Sequence, residues 1–162
     1  MIMMKQPSLV LHSHNVPGYK YQMWATWTAP KTLTVTTLVG WIEWAINQAP
    51  EFMLNNVIIN CHGSPGYLHI GTGIGIHDLD PFQRLRQKQA IGRLWIVACQ
   101  VHKSDTTLGH DFCTALAAAA ALSVVAADAL QYVNEKTLPY GYIDDFEGNL
   151  YAYDGSGARE PI

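Results

Sequence analysis

The sequence predicts an α/β fold with a mostly parallel central sheet, and two observations support that prediction. Short, almost wholly apolar runs alternate along the chain with longer segments of helical pattern. Strands that are apolar throughout are typical of parallel sheets, which are covered on both faces. Regular alternation of such strands with helices is typical of layered α/β proteins. A length of 162 residues fits one domain spanning residues 1–162.

The first half of the chain contains most of the predicted strands. They cover residues 8–13, 21–28, 56–61 and 67–70, with a turn at residues 63–66. Thr36 or Thr37 is predicted to cap a helix that runs to about Gln48, and Pro50 ends it.

The second half begins with a helix at Asp80-Pro81, since proline is favoured at the first helical position, and this helix continues to Gln89. Two further buried strands, over residues 93–99 and 123–127, flank an alanine-rich helix over residues 108–121.

The end of the chain carries a weaker pattern. Residues 142–145 and 149–153 flank Glu147-Gly148, which predicts a C-terminal hairpin. Residues 155–162 are polar and rich in glycine, so we expect this tail to fray.

Composition excludes several classes of protein. Hydrophobic residues make up 49% of the chain and the net charge is only −3, which excludes a disordered protein. Ten Lys and Arg residues without a basic run argue against nucleic-acid binding. Three scattered cysteines without a CxxC pair predict neither a disulfide framework nor a structural zinc site. They fit a reducing compartment better.

Targeting signals and cofactor motifs are weak or missing. The start of the chain lacks the features of a signal peptide, and the longest apolar run, residues 115–127, is shorter than the ~20 residues that span a membrane. We therefore expect the protein to be synthesised in a cytoplasm. Later delivery elsewhere, by a route that does not depend on a signal peptide, remains open. Gly71-Thr-Gly-Ile-Gly75 lacks the lysine of a phosphate-binding loop, so no cofactor is expected.

The candidate chemistry lies at the ends of two predicted buried strands. His62 follows the first and precedes Gly63, while Cys99 closes the second. If the strands are parallel neighbours, a thiol and an imidazole meet at one sheet edge, as nucleophilic catalysis requires. The backbone N–H groups of Gly63 and Cys99 are candidate donors to an oxyanion.

The sequence around these residues resembles the caspase-like cysteine peptidases. The shared pattern is Ile58-Ile-Asn-Cys-His62-Gly63 followed by Ile96-Val-Ala-Cys99-Gln100. A closer likeness is to a bacterial branch of that fold found in large secreted or adhesin-like proteins. Its pattern is similar to His62-Gly-Ser-Pro-Gly66, Leu68-His-Ile-Gly71 and Gly109-His-Asp-Phe112 here. The resemblance is strongest over residues 55–131.

This resemblance implies a three-layer α/β/α sandwich and a cysteine peptidase acting on a protein or peptide, as an effector, toxin or processing domain. It implies Cys99 as nucleophile and His62 as the group that protonates the leaving amine. Basic-specific relatives bind the substrate's Lys or Arg through an acidic residue near this edge, which corresponds here to Asp128. A helix N-cap at Asp128 is the equal alternative. A catalytically silent binding or assembly domain, and another acyl chemistry such as deamidation, remain open.

Other residue clusters favour structural roles. His12 and His14 are spaced to point the same way from one strand, and His102 and His110 flank the loop after Cys99. Zinc needs three or four converging ligands, so we expect no metal site. Cys61 and Cys113 are predicted to be core thiols. The five tryptophans are predicted to be core residues: Trp24, Trp27, Trp41, Trp44 and Trp95.

Overall fold

A computed structural model describes residues 1–16, 21–98, 107–129, 131 and 137–162. Its strands are β1 (Ile2–Met3), β2 (Ser8–Ser13), β3 (Ala25–Ala29), β4 (Leu54–Asn60), β5 (His62–Ser64), β6 (Tyr67–His69), β7 (Ile74–Gly75), β8 (Ile91–Val97), β9 (Ser123–Ala127), β10 (Tyr142–Ile143), β11 (Leu150–Tyr153) and β12 (Arg159–Pro161). Its helices are α1 (Val35–Gln48) and α2 (Leu108–Ala120), with 3₁₀ turns at Pro50–Phe52, Ile76–Asp78 and Asp80–Leu85.

The main sheet is mostly parallel, as the sequence predicts. Among the described residues it has seven strands in the order β12-β11-β9-β8-β4-β2-β3. The strands β9, β8, β4, β2 and β3 pair in parallel, whereas β11 and β12 join antiparallel at one edge. Two small sheets, β1-β10 and β5-β6-β7, lie outside it. The molecule is therefore a mixed α/β protein.

Apolar side chains cover both faces of the main sheet. Alternate residues of the central strands, such as Leu9, Val57 and Leu94, belong to a large core that also contains the buried sides of α1 and α2. Their neighbours on the strands, such as Val10 and Ile58, belong to a smaller core. Segments outside the helices complete that smaller core: Met4, Tyr21, Met23 and Ile143. The helices in the described part of the chain pack on the same face.

Helix α1 begins two or three residues earlier than the sequence predicts. Thr34 is its N-cap and accepts a hydrogen bond on its side-chain oxygen from the Thr37 backbone N–H at 3.2 Å. Thr36 and Thr37, the predicted caps, lie inside the first turn. The error is small because three threonines in four positions all have a hydroxyl suited to capping. None of the described helices is long and apolar enough to cross a membrane.

The helix predicted from Asp80 is a 3₁₀ segment, Asp80–Leu85, that stops short of Gln89. Its buried residues are Phe82 and Leu85, which are three positions apart. That spacing matches the three residues per turn of a 3₁₀ helix, so both side chains reach the core without an α-helix. Gln89 has a positive φ of 44°, which no helix of this hand accepts.

The predicted hairpin around Glu147-Gly148 is wrong. Tyr142–Ile143 pairs instead with Ile2–Met3 at the other end of the chain. Leu150–Tyr153 pairs with β9 and with Arg159–Pro161, so the hairpin at the C-terminus closes through residues 154–158 instead of at Glu147-Gly148 and uses part of the tail expected to fray. Long-range pairing has overridden the local turn signal.

Candidate functional site

The carboxyl ends of β2, β4, β8 and β9 lie at one edge of the main sheet because these strands are parallel. Register at this edge places His12 beside Asn60 and Asn60 beside Val97. One residue beyond β4, the Cys61 N–H donates to the Val97 carbonyl oxygen at 3.1 Å. Cys61, the residue before His62, is therefore hydrogen-bonded to the last residue of β8.

Cys99, the predicted nucleophile and second oxyanion donor, lies outside the described residues. These stop at Ala98 and resume at Thr107. Ala98 itself is buried, with 3% of its surface exposed. His102, one of the histidines considered as a metal ligand, lies outside the described residues as well.

The imidazole of His62 is exposed and contacts a backbone carbonyl group. Its Nε2 lies 3.1 Å from the carbonyl oxygen of Asn15. A carbonyl oxygen can only accept a hydrogen bond, so Nε2 carries the proton in this contact. In the neutral ring Nδ1 is then the nitrogen with a free lone pair. The contact fixes both the tautomer and the ring orientation, as a partner of a catalytic histidine does.

Asn15 follows β2 in a tight turn that fixes its carbonyl group. The Ser13 hydroxyl donates to Asn15 Oδ1 at 2.5 Å, and the Val16 N–H donates to the Ser13 carbonyl oxygen at 3.4 Å. Ser13 is fully buried at the end of β2. The partner of His62 is therefore part of the strand end and not of a free loop. Sequence reasoning missed it, since a backbone carbonyl can belong to any residue type.

A buried polar layer lies beside this edge, on β2 and β4. His12 is fully buried; its Nε2 lies 3.1 Å from the Tyr21 carbonyl oxygen and its Nδ1 lies 3.1 Å from Asn60 Nδ2. The carbonyl contact assigns the proton to Nε2, so Nδ1 accepts from the amide. Burial and the Asp144 carboxylate raise the pKa of Tyr21, whose hydroxyl donates to Asp144 Oδ2 at 3.3 Å. Both ring nitrogens of His12 are thus hydrogen-bonded to groups in the protein interior.

Gly63, the predicted oxyanion donor, is half-buried and lies in β5 rather than in a turn. Register pairs Gly63 with Leu68 and His62 with His69. On the same small sheet the Ser64 hydroxyl lies 3.2 Å from His69 Nε2. The turn is therefore shorter than the predicted residues 63–66, because strand β5 covers His62–Ser64. Cross-strand pairing places a second histidine beside the first, which the motif alone does not predict.

Asp128, the predicted substrate-binding residue, follows β9 and binds Asn149. Its Oδ1 accepts from the Asn149 backbone N–H at 2.8 Å and its Oδ2 accepts from Asn149 Nδ2 at 3.0 Å. The Asp128 N–H donates in return to the Asn149 carbonyl oxygen at 3.1 Å. The alternative role as a helix cap gains no support, because Gln131 is described and lies in no helix. Counting only donors among the described residues, each carboxylate oxygen keeps one lone pair for a further donor.

The described residues contain no group of three or more His, Cys, Asp or Glu side chains that could hold a metal ion. Cys113 is fully buried in α2, and burial raises the pKa of its thiol to about 12. Cys61 is buried too. Both predicted core thiols are therefore shielded from solvent.

Comparison with protein-family models, with curated proteins and with solved structures found no significant match.

Proposed function

We propose that this protein is a caspase-like cysteine peptidase in which Cys99 is the nucleophile and His62 the general acid. The observation that carries the proposal is the hydrogen bond from the Cys61 N–H to the Val97 carbonyl oxygen, 3.1 Å long. His62 comes one residue after Cys61, and Cys99 comes two residues after Val97. We therefore expect the thiol and the imidazole to lie at one sheet edge, as the sequence pattern predicts.

His62 is suited to this role by its contact with Asn15. With Nε2 bound to the Asn15 carbonyl oxygen, Nδ1 is the nitrogen that exchanges a proton with the thiol and then with the leaving amine. The same carbonyl stabilises the imidazolium that forms when the ring takes the thiol proton. An imidazolium in turn lowers the pKa of a nearby thiol and raises its thiolate fraction.

In the proposed reaction the Cys99 thiolate attacks the peptide carbonyl and the His62 imidazolium protonates the departing amine. The N–H groups of Gly63 and Cys99 donate to the oxyanion of the tetrahedral intermediate. Water then attacks the thioester, His62 takes its proton, and the acid and the thiol are released. Asp128 would bind a Lys or Arg side chain next to the cut.

The proposal includes a single domain over residues 1–162 with the three-layer α/β/α sandwich of the caspase-like fold. Support comes from the mostly parallel sheet and from the apolar cover on both of its faces. The helices of the described residues supply one of those covers.

Thiol labelling tests whether Cys99 is activated. With iodoacetamide at pH 7.5 we expect Cys99 to react at least about tenfold faster than Cys113, whose raised pKa keeps it protonated. His62→Ala should slow the labelling of Cys99 because the thiolate loses its partner. His69→Ala is the matched control on the neighbouring strand and should leave the rate unchanged. Equal rates at Cys99 and Cys113 in the folded protein would contradict activation.

Peptide cleavage tests the reaction itself. Cys99→Ala should lower the cleavage of a fluorogenic peptide library by at least about a thousandfold while the melting temperature stays close to that of the unmodified protein. Normal labelling without cleavage of any peptide would favour the silent domain or another acyl chemistry. Full cleavage by Cys99→Ala would exclude Cys99 as nucleophile.

A further inference from the structure

The parallel strands of the main sheet begin at the edge opposite the candidate site, and the segments before them form one surface there. The Trp24 N–H, just before β3, donates to Gln6 Oε1 at 2.8 Å, and the Gln6 carbonyl oxygen accepts from Asn55 Nδ2 at 3.0 Å. The Leu54 N–H at the start of β4 donates to the carbonyl oxygen of Ala90, just before β8, at 2.8 Å. We call the surface made by residues 5–7, 24, 51–56 and 86–93 the strand-start surface.

Large apolar side chains are exposed on the strand-start surface. Phe52 is 68% exposed and Met53 is 50% exposed. Trp24, predicted to be a core residue, is 37% exposed instead. Each of them leaves in water apolar area whose burial would be favourable, and apolar side chains grouped on one surface are typical of interaction sites.

The loop that carries Phe52 has a strained backbone. Glu51 and Phe52 have positive φ angles of 59° and 56°. The left-handed region is unfavourable for residues with a Cβ atom, whereas glycine accepts it freely. Because the Phe52 side chain is exposed, packing does not explain a phenylalanine at this position. Strained residues are concentrated at functional positions, so the exposed Phe52 side chain calls for a role outside the fold.

Cations without an ionic partner lie on the same surface. Lys5, Arg86 and Arg93 are exposed, and none of them forms an ion pair with a described residue. Lys5 and Arg93 are both neighbours of Asn56, whose Nδ2 donates to the Lys5 carbonyl oxygen at 3.3 Å and whose register partner is Arg93. These three cations outnumber the one carboxylate in the residues of this surface, which belongs to Glu51. The strand-start surface is therefore positively charged, although the whole chain has a net charge of −3.

We propose that the strand-start surface docks on an anionic phospholipid bilayer. Phe52 and Met53 insert into the bilayer interface, while Lys5, Arg86 and Arg93 contact the lipid phosphates. Peripheral binding of this kind combines buried apolar area with attraction between Lys or Arg side chains and anionic lipids. Salt largely screens charges that are more than about 8 Å apart at physiological ionic strength, so the local cations matter more than the net charge of the chain.

A bilayer fits these residues better than a protein partner does. The long, unpaired side chains of Lys and Arg can follow mobile lipid phosphates, whereas a protein partner would need carboxylates at fixed facing positions. Tryptophan, which Trp24 supplies beside the cations, is enriched at membrane interfaces. Docking at this edge leaves His62 accessible, since the candidate site lies at the opposite edge of the sheet. It is therefore independent of the proposed peptidase activity.

Sedimentation with sucrose-loaded vesicles measures the docking of the full chain. Vesicles of phosphatidylcholine with about 30% phosphatidylserine should bind the protein saturably, and phosphatidylcholine alone should bind it at least about tenfold more weakly. Raising the potassium chloride concentration from about 0.1 M to about 0.5 M should weaken binding to the anionic vesicles at least about fivefold. Cys99→Ala should bind as the unmodified protein does, which separates docking from the proposed peptidase activity.

Phe52→Gly is the decisive variant because it separates docking from folding. It removes the apolar side chain, so binding to anionic vesicles should fall at least about tenfold. Glycine also relieves the left-handed backbone at this position, so the melting temperature should not fall. Phe52→Leu, the matched control, keeps an apolar side chain and should bind within about threefold of the unmodified protein.

Lys5→Gln tests the contribution of charge. Loss of one lysine near the membrane surface should weaken binding to anionic vesicles about fivefold. Lys31→Gln, the matched control, makes the same change on an exposed residue beyond the carboxyl end of β3, at the opposite edge of the sheet. It should bind within about twofold of the unmodified protein, because its charge is screened from the bilayer.

Several results would overturn the proposal. One is the lack of saturable binding to anionic vesicles at millimolar lipid. Another is unchanged binding by both Phe52→Gly and Lys5→Gln, which would place the contact elsewhere. Equal binding to anionic and neutral vesicles would remove the role of the cations. Light scattering that finds a dimer of the unmodified protein and a monomer of Phe52→Gly would make a second copy the occupant of this surface.

Discussion

At the scale of the residue, the Asp128 carboxylate combines a structural bond with a candidate binding role. Asn149 donates to both of its oxygens, at 2.8 Å and 3.0 Å, and so ties the end of β9 to the start of β11. A carboxylate held in this way is oriented before any ligand arrives. A cationic side chain that approached it could use the remaining lone pairs, and Arg could pair in two places.

Asp128→Asn should therefore have two separable effects. The new amide cannot accept from both Asn149 donors, so the free energy of unfolding should fall by about 1 kcal/mol. Removing the charge should also lower cleavage after Arg or Lys by more than about tenfold and spare cleavage after small residues. Unfolding in urea and a peptide library measure the two effects.

Asn149→Ala is the control for the specificity effect. It removes the Nδ2 bond to Oδ2, keeps the backbone N–H bond to Oδ1 and keeps the Asp128 charge, so it should lower stability with little change in preference for basic residues. An equal fall for all substrates in Asp128→Asn would show that Asp128 acts through stability alone. Cleavage by the unmodified protein after neutral residues only would remove the specificity proposal.

At the scale of the element, the hairpin of β11 and β12 depends on one carboxylate in its turn. Asp154 Oδ1 accepts from the backbone N–H of Ser156 at 2.8 Å and from its hydroxyl at 2.5 Å. The Asp154 N–H donates to the Ala158 carbonyl oxygen at 3.1 Å, which closes the loop. These bonds from Ser156 lower the pKa of Asp154 below its ordinary value of 3.8. The turn therefore prefers the charged carboxylate.

The lowered pKa predicts how the hairpin responds to acid. Its stabilising contribution is present above the ordinary pKa of 3.8 and is lost as the pH falls through the lower, folded value. In NMR spectra the Ser156 amide signal should shift with a midpoint below 3.8. Asp154→Asn keeps an accepting oxygen but does not titrate, so the signal should stay constant. A midpoint above the ordinary value would contradict the Ser156 contacts.

The elements also differ in how far the sequence predicts them. The strands Ser8–Ser13 and Ser123–Ala127 have the predicted bounds. A short, wholly apolar run is typical of a strand that is buried on both faces of a parallel sheet, so the sequence defines these strands well. The hairpin at Glu147-Gly148 does not form, since Ile143 pairs with Ile2 across almost the whole chain. Local sequence patterns reflect burial and turn preferences, but they carry no information about which distant strand a segment will pair with.

The residues of the candidate site also differ in how far the sequence predicts them. His62-Gly63 could be identified because strand, histidine and glycine are consecutive residues. The carbonyl group of Asn15 and the cross-strand neighbour His69 could not, since each meets His62 only through tertiary structure. Trp44, predicted to be a core residue, is 57% exposed; its exposure was missed because helical spacing places it beside core residues.

At the scale of the whole molecule, one polar row crosses the smaller core and links three neighbouring strands of the main sheet, β2, β4 and β8. Asn56 on β4 accepts from Trp95 Nε1 on β8 at 2.8 Å, and its Nδ2 donates to Ser8 Oγ on β2 at 3.1 Å. All three residues are buried. The β4-β8 pair lies between the N-terminal strands and the C-terminal strands in the sheet order, so this row couples both halves.

Removing the row should therefore destabilise the molecule as one unit. Asn56→Ala leaves the buried Trp95 N–H without its acceptor, and we expect the free energy of unfolding to fall by about 2–4 kcal/mol. Asn55→Ala, the control, removes a half-buried amide that donates to the Gln6 carbonyl oxygen at 3.0 Å and should cost less than about 1.5 kcal/mol.

In urea, tryptophan fluorescence and far-ultraviolet circular dichroism should give one shared midpoint for the unmodified chain, and Asn56→Ala should move both midpoints together. The β1-β10 pair, which joins residues 2–3 to residues 142–143, opposes separate unfolding of the two halves. Two separated transitions would contradict a single domain, and an equal loss in both variants would remove the polar row as the coupling element.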